Sequence, residues 1–296
     1  MFKLQRFLPC EALRDFIDTY YLLEIECAPG EALDDLMLPE LANARFQLEG
    51  QWQIGFKGQG FKPAPSSNVF GFTHAPWRVH VGGRTRVFGA GIKPLGWMAL
   101  IGLPACTLAD DMCHAADIWG EGVEDTRRVL SKATCGEDMA AILDRLLLSR
   151  RRSVLPMKQT ALMRFIDVLE RPETAEINRV DDLAYQLGLS VRQVERSTQE
   201  FFGCSPKLLL RQHRFLSMLS RNLDGAASQS WLDSADESFY DQSHYIREYK
   251  RFTGRSPQQF AKSSNKLQRH VAHTLSALSE RTPSRLGLKL DLAQHA

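Results

Sequence analysis

The sequence predicts an α+β chain in two parts, β-rich to about residue 125 and all-α beyond it. Three observations predict this. Short apolar runs broken by Gly and Pro fill the first part. From about Thr126 the apolar residues recur at helical spacing. Within the second part a pattern of about 51 residues occurs twice.

Composition bounds the reading. Hydrophobic residues make up 44% of the 296, enough for a packed core. The formal net charge is only +2, so any case for nucleic acid rests on local arrangement and not on bulk charge. The N-terminus, MFKLQRFLPCEALRDF, has no apolar core of a secretion signal. No stretch approaches about 18 uninterrupted apolar residues. The six cysteines (10, 27, 106, 113, 135 and 204) are scattered, which fits a reducing compartment. A cytoplasmic protein without a membrane span is expected.

The elements follow in order. Residues 11–23 read as a short helix. In ARFQLEGQWQIGF (44–56), Phe46, Leu48, Trp52, Ile54 and Phe56 stand at even spacing, the mark of a half-buried strand. Residues 69–72 and 87–92 are further strands. Together, 1–125 form a β-rich domain. Residues 126–156 read as a helical linker, in which 139–148 is apolar on one face and offers a homodimer surface; the basic run 150–152 and Pro156 close it. Residues 157–262 read as helix after helix. Asp181 and Asp182 lie in the first turn of one, Gly188 ends it, Ser190 caps the next, and Gly203 stops that in turn. Ser205-Pro206 opens a long helix to about 223. A short helix at 231–237 and another from about Asp241 to Phe252 follow. The tail, 263–296, is polar and expected to be weakly ordered.

The repeat carries the functional reading. EFFGCSP (200–206) and KRFTGRSP (250–257) share one design: a helix ends at Gly, and Ser-Pro begins another two residues later. Upstream, Ser190 and Asp241 each stand at a helix start, with Arg196 and Arg247 six residues on. Each copy looks like a helix-turn-helix. Ala184 and Gly188 permit close approach and a left-handed turn between two helices. The helix after the turn carries Arg192, Gln193, Glu195, Arg196 and Gln199, with Val191 and Val194 expected inward. Arg pairs with guanine, Gln with adenine and Glu with cytosine. The long helix joining the copies would set two readers about 34 Å apart, matching successive major grooves. It carries Lys207, Arg211, Arg214 and Arg221. Lys207 and Arg211, with Arg251, are candidate phosphate contacts.

On DDLAYQLGLSVRQVERSTQEFFGCSP, the Arg214-Phe215 step and FYDQSHYIREYKRFTGRSPQQF, the chain resembles the AraC/XylS family of transcription regulators across 160–262. The resemblance implies two helix-turn-helix units bridged by a long helix, and sequence-specific binding of double-stranded DNA. Its base-reading positions fall on Arg192, Glu195 and Arg196 in the first unit and on Gln242, Ser243, His244 and Arg247 in the second. Thr198 stands where the family has Phe, and Asp233-Ser234 where it has an aliphatic-Ala pair, so weaker packing is expected at both. LPELANARFQLEG and FGAGIKPLGWMALIG echo the family's sensor domains. The first domain would then be sensor-like, answering a small-molecule effector or pairing protomers, with RNA polymerase a further candidate partner.

Other constellations are weaker. Cys106, Cys113 and His114 fit none of the usual zinc spacings. His74 and His80, flanking Trp77 and Arg78, read as a loop. Trp52, Trp77, Trp97 and Phe72 read either as an aromatic cavity or as plain core. No P-loop, G-x-S-x-G or H-E-x-x-H occurs. No metal, cofactor or catalysis is expected. The competing readings are an enzyme using Cys10 and a helical interaction module that has lost DNA binding.

Overall fold

The computed structural model describes residues 2–171, 174, 177–224 and 242–262, with side chains described at all of these except 217–224, 242, 244, 261 and 262. The expected helix at 231–237, the Asp241 cap and the tail 263–296 lie outside the described residues.

The first half is a sandwich of antiparallel sheets. Its strands are β1 (Phe2–Phe7), β2 (Ile17–Glu26), β3 (Ala32–Met37), β4 (Ala42–Glu49), β5 (Trp52–Gly55), β6 (Lys62–Pro63), β7 (Ser67–Phe70), β8 (Trp77–Gly82), β9 (Arg84–Ile92) and β10 (Met112–His114). Six form one sheet in the order β1-β2-β9-β4-β7-β10, and four form the second as β3-β8-β5-β6. The alternation read across 44–56 is divided between β4 and β5 by a turn at Gly50.

Alternation along the strands of the large sheet builds two cores, one on each face. Ala42, Ala44 and Phe46 face one side, with Tyr20, Phe88 and Ala90. On the other side Leu23, Ile25, Phe70 and Val87 meet Trp52, Ile54, Trp77 and Val79 of the small sheet. Trp97 and Phe72 belong to the first core, Trp52 and Trp77 to the second. The four aromatic residues therefore do not line one cavity.

Residues 11–23 are not a helix. A single 3-10 turn at Glu11–Leu13 leads into β2, which is hydrogen-bonded on both sides, to β1 and β9. His80 and Trp77 likewise stand on β8 and not in a loop.

After β9, Pro94–Gly96 (α1) opens a helical turn continued by Trp97–Ile101, and β10 leads to α2 (Ala115–Trp119). The segment expected as a linker forms most of α3 (Val123–Lys132) and all of α4 (Gly136–Arg150). Both cover the large sheet: Val123, Leu130, Met139, Leu143 and Leu147 are buried in its core. Asp144 of α4 accepts from the Tyr20 hydroxyl (2.7 Å) and the Cys10 amide (3.1 Å). The apolar face of 139–148, expected to offer a dimer surface, is spent inside its own fold.

The second half is α5 (Pro156–Leu169), α6 (Val180–Leu187), α7 (Val191–Phe202), α8 (Pro206–Asp224), α9 (Gln242–Thr253) and α10 (Pro257–Lys262). One cluster gathers α5, α6 and α7 around Phe165, Phe201 and Phe202, and takes in Leu95 of α1. Another gathers Phe215 of α8 with Tyr245, Tyr249 and Phe252 of α9 and Phe260 of α10.

Candidate nucleic-acid interface

The first unit is built by its turn. Gly188, at φ +63°, donates to the Tyr185 carbonyl (3.1 Å), and Leu189 donates to that of Ala184 (3.0 Å). These two bonds satisfy the last carbonyls of α6 and reverse the chain. Ser190 then starts α7. Its Oγ accepts from the Gln193 amide (3.3 Å), while Gln193 Oε1 accepts from the Ser190 amide (2.9 Å). This reciprocal cap fixes the entry of the recognition helix.

Register with the second unit is maintained side chain by side chain. Val194, Thr198, Phe201 and Phe202 are buried on α7; their partners 51 residues on, Tyr245, Tyr249, Phe252 and Thr253, are buried on α9. The following helices also begin alike. Ser205 Oγ accepts from the Leu208 amide (3.3 Å) and Ser256 Oγ from the Gln259 amide (3.2 Å). Thr198, expected to weaken packing, is fully buried, and its hydroxyl donates to the Glu195 carbonyl (3.1 Å). A satisfied hydroxyl carries little of the burial penalty of an unpaired one.

The opposite faces are left to solvent. On α7 Arg192, Gln193, Glu195, Arg196 and Gln199 are exposed. On α9 Ser243, Arg247, Lys250 and Arg251 are exposed. Gln242 and His244 lie in the first turns of α9; their side chains are outside the described residues. Lys250, in register with Gln199, was missed in the sequence reading, although the repeat alone marks it. Val191 was expected inward but is 37% exposed. Glu200 turns away from the reading face to pair with Lys158 of α5.

Not every candidate is free for DNA. Gln193 Oε1 serves the cap, so its amide is held at the helix start. Arg211 makes a forked pair with Glu248 of α9, through Nε (3.0 Å) and Nη2. Because Glu248 is buried, the pair fastens the bridging helix to the second recognition helix. Arg214 is buried and donates to the Ile177 carbonyl (3.1 Å), fastening the same helix to the first unit. Lys207 and Arg251 are exposed, the latter with its guanidinium 6.0 Å from the Phe252 ring.

The alternative sites have local roles. His114 Nδ1 accepts from the Ala116 amide (3.0 Å), capping α2, and Nε2 lies 3.6 Å from Glu124. Burial pushes the neighbouring Cys113 thiol up to about 11. Among the described residues no group of three or more His, Cys, Asp or Glu is placed to hold a metal ion. Burial and Asp144 also raise the Cys10 thiol, the reverse of what activates a nucleophile. No described helix is long and apolar enough to cross a membrane.

A helix-turn-helix in α6 and α7, and a second helix, α9, in the same register with its own solvent-facing basic side, define a helix-turn-helix protein. Residues 183–263 match the family described as "Helix-turn-helix domain", and this part of the chain is a domain of the AraC type. No curated protein matches the chain. Among solved structures, ToxT from Vibrio cholerae is 12% identical, with 81% of this chain and 96% of that one covered and a TM-score of 0.41. ToxT bound to an unsaturated fatty acid is 13% identical over 80% and 96%, with a TM-score of 0.41. The AraC-like transcriptional activator CuxR is 12% identical over 72% and 86%, with a TM-score of 0.24.

Proposed function

We propose that the chain is a sequence-specific regulator of transcription that reads double-stranded DNA with α7 and α9. The observation that carries this is the common register of the two units, which buries equivalent residues and exposes Arg192 and Arg196 on one helix and Ser243 and Arg247 on the other. In the reading, Arg192, Glu195, Arg196, Ser243 and Arg247, with Gln199, Gln242 and His244, meet base edges. Lys207 and Arg251 grip phosphates and set register. Gln193 and Arg211 act in support, by capping α7 and by holding α9 against α8.

The first domain, extended through α4 to residue 150, is the sensor in this reading. Among the described residues of the sandwich, the buried N–H groups without a partner include Arg45 Nη1, Trp52 Nε1 and Trp77 Nε1. Such groups are costly to leave unpaired, and an oxygen-bearing effector would satisfy them. Regulation follows if that effector favours one of two arrangements of the protein. The reading needs no catalysis or cofactor. It places the protein in the cytoplasm with RNA polymerase as its partner on the promoter, and a homodimer would need a face other than 139–148.

A reading as an interaction module that has lost DNA binding is disfavoured by the satisfied Thr198 hydroxyl. Titration of pooled duplex DNA at increasing salt separates the two. Several phosphate contacts predict a steep linear fall of log affinity with log salt, by about 0.9 per phosphate neutralised. Absence of binding at low salt by the folded protein would overturn the proposal.

A further inference from the structure

Each unit closes its recognition helix at a glycine, Gly203 and Gly254, at φ +77° and +76°. Both corners are seated on the first half, on different elements. A Cβ at Gly203 would lie 3.0 Å from the Ala105 carbonyl oxygen and 3.1 Å from the Ala109 side chain. At Gly254 it would lie 2.8 Å from Leu36 Cδ1 and 3.5 Å from Pro76 Cγ. The next residue is held in each case: Cys204 is buried, and Arg255 Nη2 lies 3.7 Å from Asp35 Oδ1, whose side chain is 1% exposed. Between the corners, Gln212 of α8 bonds to His74 Nδ1 (2.9 Å) and to the Thr73 carbonyl (3.4 Å). Leu38 packs into the core of the second unit.

A body that grips two equivalent corners also fixes the separation and rotation of the helices that end there. We infer that the first domain is a spacing gauge: by holding Gly203 and Gly254 it determines, together with α8, which distance between two base clusters the protein accepts. One base pair added between the clusters shifts the second by about 3.4 Å and turns it by about a tenth of a helical turn. A rigid pair of readers cannot follow that change. The inference rests on the DNA-reading proposal above.

The test uses the full chain and duplexes carrying the selected clusters at the preferred spacing and at one base pair more and less. Asp35→Ala and Leu36→Ala loosen the second corner from within the first domain, and Gln212→Ala releases the middle contact if either fails to fold. The wild type should lose about tenfold in affinity for each altered spacing, the scale of a mismatched base pair. The variants should keep the preferred site within about threefold and bind the altered spacings within about threefold of it. An undiminished tenfold penalty in folded variants would overturn the inference, because α8 alone would then set the spacing. A uniform gain at every spacing would overturn it too, making the docking a brake. A folded wild type that binds none of the duplexes would instead overturn the DNA reading, and the gauge with it.

Discussion

Among single residues, the outward arginines and the buried polar groups do different work. Arg196 and Arg247 occupy equivalent exposed positions of α7 and α9. Replacing either by Ala is expected to cost about 1–3 kcal/mol of specific binding with folding intact, measured by titration against the preferred duplex. Unchanged affinity in both would remove them from the interface. His213 on α8 makes the opposite kind of prediction. Burial, with the charge of Arg214, holds its imidazole below the ordinary 6.5 against a hydrogen bond with the Leu169 backbone. The folded protein therefore favours the neutral ring, and the unfolded chain takes up the proton first. The stability from this group is complete above about 6.5 and is lost as pH falls through the lower folded-state value. Between about pH 7 and pH 5 the wild-type unfolding midpoint should fall further than that of His213→Gln; equal falls would contradict the assignment. The types and positions of Arg192, Glu195 and Arg196 were legible because the repeat fixed the helix face. The commitment of Gln193 to the cap was legible only as a spacing, Ser190 to Gln193. That of Arg211 was not, because its partner Glu248 lies across a segment whose path the sequence does not give.

At the level of elements, the helices of the second half were legible because capping residues, glycine stops and apolar spacing agree. Residues 11–23 show where such local evidence misleads. Leu13, Phe16, Ile17 and Tyr20 stand at helical spacing, yet Ile17–Glu26 is a strand. The choice was made by long-range pairing, with Phe7 opposite Tyr20 and Phe88 opposite Leu22. For α3 and α4 the apolar face was legible and its destination was not, since what it covers is a sheet assembled from strands scattered between Phe2 and His114. The bridge between the two readers makes a prediction at this scale. Arg211→Ala strands the buried Glu248 carboxylate and should cost about 3 kcal/mol in denaturant unfolding, the lower end for a broken buried pair because Arg211 itself keeps solvent access. Replacing both partners, as Arg211→Met with Glu248→Leu, should cost less than the single change. A single variant within about 0.5 kcal/mol of wild type would show that the fork does not hold α9.

Across the whole molecule, two reading helices are tied to one another by α8 and to the first domain at both glycine corners. The two-part architecture was legible from texture alone: Gly and Pro punctuation, then helical periodicity. The docking of the halves was not, because Asp35 with Arg255 and His74 with Gln212 join residues that no local pattern relates. This arrangement gives the first domain a direct hold on the readers, so an effector that shifts the sandwich would reach DNA through Leu36, Asp35 and Pro76. The central claim, that α7 and α9 read one DNA together, is tested most directly by selecting binding sites from random duplex DNA with the purified full chain. The account predicts enriched sites with two base clusters whose centres lie about one helical turn, 10–10.5 base pairs, apart. A single enriched cluster, or none from folded protein, would contradict it.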